Sequence, residues 1–310
     1  MIDCYSVAFG VATPGCGLSG ACWVNLAAPT EEEIRQVAGT FSIPQDFLTD
    51  PLDLDERARI EIDGQCLLVV LHTPVRDRED GSVPFRTVPL GIVLKNGCLV
   101  TVSSQPIDIM ELFLSRKVKN FSPEHPARFV IQIFHQNSIL FLKYLKEINR
   151  KTNAYEQELH RAMKNEELIM LVNLEKSLVY FTTSINANEI IMARIQRADV
   201  IKMSAQEAEL LDDAITENLQ AIHMTKIYTN ILSGMMDAFA SIISNNLNVV
   251  MKFLTTVTIV LMIPNLVFSF YGMNVKLPFQ ESEAGVLTTL AVAGIATAAG
   301  VWLLVRRRLF

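Results

Sequence analysis

Hydrophobic and polar positions divide this chain into three stretches with different periods. From Met1 to Pro126 the apolar residues come in short β-rich runs, Cys22–Leu26, Gln65–Leu71, Val88–Leu94 and Cys98–Ser103. Ten of the twelve prolines and nine of the fourteen glycines punctuate these runs, so long helices are not expected here. Asn96-Gly97 between the last two runs predicts a tight hairpin, because both positions tolerate positive φ. Thr30 with Glu33 three residues later predicts a capping box opening a short helix. Residues 1–126 therefore read as an α+β domain with a largely antiparallel sheet.

After Pro126 the period changes. Residues 127–247 contain no proline and one glycine, Gly234, and charges alternate with Leu, Ile and Met at helical spacing, as in Leu140–Arg150 and Glu166–Leu178. At ~1.5 Å per residue this stretch supplies several very long helices, as a soluble bundle or as a stalk entering a membrane. Two charge-free segments follow, Phe253–Tyr271 and Ala284–Val305. As helices they measure roughly 28 Å and 33 Å, against a hydrocarbon core of about 30 Å. The predicted layout is a first span at 248–271, an external loop at 272–283, a second span at 284–305 and a basic tail at 306–310. Arg306, Arg307 and Arg308 follow the second span, whereas Lys276 is the only basic residue between the spans. This asymmetry places the C-terminus in the cytoplasm, and two spans bring the N-terminal domain to the same side.

A polar line runs along the first span and below it. Alternating steps of three and four from Asn248 trace Asn230, Gly234, Asp237, Ser241, Ser244, Asn248, Met251, Thr255, Thr258, Met262, Asn265 and Ser269. Ten of these twelve are polar or glycine, where a coiled-coil seam would carry Leu or Ile. Polar side chains inside a bilayer face partners or water, so the line predicts a water-filled path. Two spans cannot enclose a pore, so a cyclic homo-oligomer is implied, each subunit lending its first span. The neutral oxygens of Thr, Ser and Asn suit a hydrated hard cation such as Mg²⁺, which releases water reluctantly. Zinc or copper would call for Cys or His, which neither span contains.

Composition supports a membrane protein and removes other classes. The 310 residues are 50% hydrophobic and 19% charged with a mean hydropathy of +0.28, too apolar for an ordinary soluble chain of this length. A formal charge of −6 argues against a general affinity for nucleic acid. Cys4, Cys16, Cys22, Cys66 and Cys98 form no CxxC pair and read as reduced, small core residues. Gly15, Gly17 and Gly20 match GxGxxG, but a strand-like run follows where a nucleotide fingerprint needs a helix. Met1–Gly20 does not read as a signal peptide. His72, His125, His135, His160 and His223 are scattered, no nucleophile motif is present, and an enzyme is not expected.

The first span closes on Tyr271-Gly272-Met273-Asn274. With the approach Asn248–Thr256, the short loop and the basic tail, this resembles the CorA family of magnesium channels, whose hallmark is Gly-Met-Asn at that place. The resemblance is strongest from Asp212 to Phe310. It implies a funnel-shaped homopentamer in which a long stalk helix continues as the pore helix. It further implies that Gly272, Met273 and Asn274 form the ion entry, with Asn274 amides ringing the mouth and Gly272 supplying a permissive backbone. Asn248, Met251, Thr255, Thr258, Met262, Asn265 and Ser269 match the family's pore-lining positions, and Leu254 falls at its hydrophobic constriction. Mg²⁺ would be both cargo and regulator, the regulatory ion bridging Asp213 to a partner subunit's β-rich domain, where Asp77 is the candidate ligand. Co²⁺ or Ni²⁺ are further possible cargoes. Three departures stand out: Ser269 where glycine is common, Pro264 one residue late, and an outer loop Val275–Glu283 without Met-Pro-Glu-Leu. The alternatives are a zinc transporter of the same architecture, which usually lacks the methionine present here as Met273, and a membrane-anchored scaffold without transport.

Overall fold

The computed structural model describes residues 2–8, 11–14, 23–77, 83–95, 97–115, 117–118, 121, 125–162, 165–198, 200–274 and 285–306. It divides into two compact units, Met1–Gly234 and Met235–Phe310.

The first unit is built on a seven-stranded sheet. Its strands are β1 (Ile2–Ala8), β2 (Val11–Pro14), β3 (Trp23–Ala27), β4 (Arg59–Asp63), β5 (Cys66–Arg76), β6 (Phe85–Lys95) and β7 (Cys98–Ser103), in the order β2-β1-β3-β7-β6-β5-β4. Every pairing is antiparallel except β3 with β7. Lys95 pairs with Cys98 across the predicted hairpin, and Gly97 takes a φ of +80° that favours glycine. Asn96, the other half of that signal, lies outside the described residues, as do the GxGxxG glycines.

One face of the sheet is covered by α1 (Glu31–Phe41), α2 (Asp46–Thr49) and a 3-10 turn at Asp50–Leu52. The capping box opens α1 as expected: the Glu33 amide donates to Thr30 Oγ1 at 3.3 Å, and the Thr30 amide donates to Glu33 at 2.8 Å. Beneath these helices Val24, Leu26, Leu68, Val70, Val93 and Val102 meet Ile34, Val37, Phe47 and Leu48 in a dry core. Cys66 is buried in it and Cys4 and Cys98 pack against it, as the sequence predicts for small core thiols. Gly91 is required by close approach, since a Cβ there would sit 2.3 Å from Pro51 Cγ.

The other face carries α3 (Asp108–Leu114), α4 (Pro126–Ala162) and α5 (Asn165–Ala198). Trp23 stacks with Tyr5 and meets Phe129 at a tilt there, and its indole N–H donates to Thr101 Oγ1 at 3.0 Å, which in turn donates to Asn25 at 2.8 Å. Beyond the end of β4, the edge of β5 is sealed by side chains. The His72 amide donates to Asn188 Oδ1, while the His72 carbonyl accepts from Asn137 and Asn188, each at 2.8 Å. These two asparagines, buried at 2% and 1% exposure, replace the strand that is missing there. Pro74 and Pro89 share this register (His72 opposite Pro89, Pro74 opposite Thr87), where backbone groups point away from the partner strand and no N–H is needed.

Helix α6 runs unbroken from Ala205 to Tyr271, 67 residues, through the unit boundary and through Pro264. It opens on a second capping box, Ser204 with Glu207. In the second unit α6 lies against α7 (Gly285–Arg306). Among the described residues, three helices are long and apolar enough to cross a membrane: α5, α6 and α7. The most apolar stretch of α5 is 44% buried within its unit, against 6% for α6 and for α7. Burial against the sheet therefore accounts for the apolarity of α5, which is not one of the two predicted spans.

Candidate functional site

The two sides of the membrane part of α6 differ. Thr256 is buried at 4% exposure, and Val260, Ile263, Pro264, Val267 and Tyr271 are half-buried. At ~100° per residue these six share one face. That face meets α7, where the end of the Ile263 side chain occupies the space a Cβ on Gly300 would need, 2.4 Å away. Asn248, Met251, Leu254, Thr255, Thr258, Met262, Asn265 and Ser269 are all exposed. By the same rotation they centre on the opposite side of the helix. The chain's own second span thus backs the apolar face and leaves the polar line open. Thr258 Oγ1 donates to the Leu254 carbonyl at 2.8 Å, which spends its hydrogen and leaves the oxygen lone pairs as acceptors.

The helix ends at Tyr271, one residue before Gly272. The Gly272 amide still donates to Phe268 O at 2.9 Å, and the Met273 amide donates to Phe270 O at 3.3 Å, tightening the last turn. Gly272 does not adopt the positive φ that singles out glycine. A Cβ there would lie 3.2 Å from Phe268 O and 3.6 Å from Ser269 O, carbonyls of the helix's own last turn. Met273 and Asn274 follow, both exposed. Loop residues 275–284, with Glu281 and Glu283, lie outside the described residues.

The expected regulatory carboxylates sit on separate elements of the first unit. Asp213 is exposed on α6, next to Asp212, which accepts from Gln196 at 2.6 Å. Asp77, just after β5, holds the Arg86 guanidinium at 2.7 Å and donates its amide to Pro84 O. Arg86 as partner was not anticipated, although a basic residue at the start of a strand paired with β5 was the available signal. Among the described residues, no three or more His, Cys, Asp or Glu side chains are grouped so as to hold a metal within one chain.

Neighbouring groups show how tightly α4 is tied to the sheet. Arg76 pairs with Glu147 at 2.7 Å and lies over the Tyr144 ring, whose hydroxyl donates to Asp108. Burial, reinforced by the Asp108 carboxylate, pushes the Tyr144 hydroxyl far above its ordinary range. His72 moves down, because burial disfavours its charged form more than the contact with the Glu56 carbonyl favours it.

Comparison with known proteins places this geometry. The profile of the family described as "CorA-like Mg2+ transporter protein" matches residues 19–307. The cobalt/magnesium transport protein CorA of Methanocaldococcus jannaschii is 26% identical over 275 residues, covering 87% of this chain and 85% of that one. The complete structure of the CorA magnesium transporter from the same organism superposes with a TM-score of 0.82 at 23% identity, covering 98% of this chain and 96% of that one. The cytoplasmic domain of ZntB from Vibrio parahaemolyticus is more distant, with a TM-score of 0.58 at 13% identity over 79% of this chain and 96% of that one.

Proposed function

The chain belongs to the CorA-like Mg2+ transporter family, and from that membership we propose that it conducts hydrated Mg²⁺ through a pore formed by the polar face of α6. The observation that carries the reading is the placement of α7. A second span packed on the apolar side of α6 leaves Asn248, Thr255, Thr258, Asn265 and Ser269 exposed in a single chain. Exposed polar residues on a membrane helix call for water or a partner, and rotation of identical chains about an axis supplies both. By the family resemblance the ring holds five copies, the membrane is the cell's inner membrane, and both termini are cytoplasmic.

Each residue then has a distinct task. Asn274 amide oxygens at the mouth accept hydrogen bonds from the water shell of Mg²⁺, so the ion enters without being stripped. Met273 and Gly272 hold Asn274 at the end of the helix. Thr255, Thr258, Asn265 and Ser269 continue the oxygen lining, and Asn248 closes it at the inner end. Met251 and Met262 line the path between these, and Leu254 forms the apolar constriction that dewets to close it. Asp213 and a neighbouring subunit's Asp77 would hold a regulatory Mg²⁺ at high internal concentration, Asp77 giving up its contact with Arg86. Without that ion the two carboxylates would repel, loosening the subunit contact in the open state.

The test is ion uptake by proteoliposomes carrying the purified protein, read with Mg²⁺- and Zn²⁺-sensitive dyes in parallel. Mg²⁺ entry supports the reading. Zn²⁺ entry alone would favour a zinc transporter of the same architecture, and entry of neither would return the chain to a scaffold.

A further inference from the structure

In the first unit, α4 and α6 separate and leave an open groove of about 720 Å³. None of the polar-line or signature residues lines it. Lys143, Lys146 and Arg150 reach it from α4. Their spacing of three and four residues puts them on one face, spread over about 10 Å at ~1.5 Å per residue. All three are exposed. Glu147 stands among them, but it is held by Arg76 at 2.7 Å and by Lys151 at 4.0 Å, neither of which lines the groove. Glu217 from α6 is then the remaining carboxylate, one against three cations, in a chain whose formal charge is −6. Gln220 adds an amide, and Ile139 and Leu142 form an apolar floor.

We propose that this groove binds a polyphosphate anion, and that the magnesium complex of a nucleoside triphosphate is the form its mixed lining fits. Three cations in a row on a rigid helix match the successive oxygens of a phosphate chain, and Lys and Arg are the side chains that bind phosphate most strongly. Glu217 opposes bare phosphate, whereas it accepts hydrogen bonds from the waters of a phosphate-bound Mg²⁺. The apolar floor offers contact for a base or sugar, and the volume lies in the range of small-molecule sites. An acidic segment from a second copy would satisfy the lysines but would leave Glu217 facing like charge. The inference does not depend on the pore.

The experiment is calorimetric titration of the full-length protein in detergent with Mg–ATP, ATP in EDTA, tripolyphosphate and adenosine. Saturable binding of Mg–ATP is expected, with ATP in EDTA weaker and adenosine silent. Lys143→Ala should weaken binding roughly tenfold and Lys143→Ala/Lys146→Ala roughly a hundredfold, while Lys202→Ala, outside the groove, leaves it unchanged. Glu217→Gln should remove the preference for Mg–ATP over free ATP. Absence of saturable binding, or binding indifferent to the lysine pair, overturns the proposal. Loss of the oligomer in the lysine pair without ATP binding by the unsubstituted chain overturns it in favour of a subunit interface.

Discussion

At the scale of single residues, buried polar groups show what function and fold each require. Asn188 donates to and accepts from the backbone at His72, so truncation strands two groups at the β5 edge. Asn188→Ala should cost about 2 kcal/mol, seen as a lower thermal midpoint in detergent. His72 gives a pH signature. Its folded-state pKa is depressed by burial, so its contribution is fully present above the unfolded value near 6.5. That contribution is lost as pH falls below that value, because the unfolded chain then takes up the proton more readily. His72→Asn should therefore flatten the stability of the protein between about pH 6.5 and 5, relative to the unsubstituted chain. Gly272 makes the opposite case. Alanine there meets Phe268 O at 3.2 Å in the turn that presents Asn274. Gly272→Ala should lower Mg²⁺ uptake roughly tenfold, a barrier change of about 1.4 kcal/mol, with the oligomer intact by size-exclusion chromatography. The motif was legible in the sequence. The distance from Gly272 to the Phe268 carbonyl was not, because a contact distance exists only in three dimensions.

At the scale of elements, legibility followed pattern strength. The Cys98–Ser103 run, the Asn96-Gly97 turn and the Thr30 capping box gave clear local signals, and β7, the hairpin and α1 stand where those signals lie. Strands β1, β2 and β4 escaped notice. β4 reads Arg-Ile-Glu-Ile-Asp, an edge strand with Arg59 held by Asp50 and Glu61, so charge blurs its period. Composition also gives α5 the look of a span, and only its packing on the sheet explains that apolarity. Two substitutions test packing at this scale. Gly91→Ala drives a Cβ to 2.3 Å from Pro51 and should destabilise the first unit by about 1–3 kcal/mol in chemical denaturation. On α6, cysteine at Thr258 should react with a membrane-impermeant thiol reagent above the level of the unsubstituted chain. Cysteine at Val267, on the face toward α7, should not.

At the scale of the whole molecule, one helix of 67 residues belongs both to the sheet-based unit and to the apolar helix pair. The polar line itself was legible, because a 3.5-residue period survives in sequence whatever surrounds it. Its exposure was not, since that depends on which face α7 covers.

Mg²⁺ uptake by proteoliposomes of the unsubstituted protein, set beside Asn274→Ala at equal protein load, tests the central claim most directly. The account predicts rapid entry with the first and loss of entry with the second, while the variant keeps the same oligomeric state. Uptake by Asn274→Ala equal to that of the unsubstituted chain would contradict it, because the hydrated ion would then be entering without the amide ring.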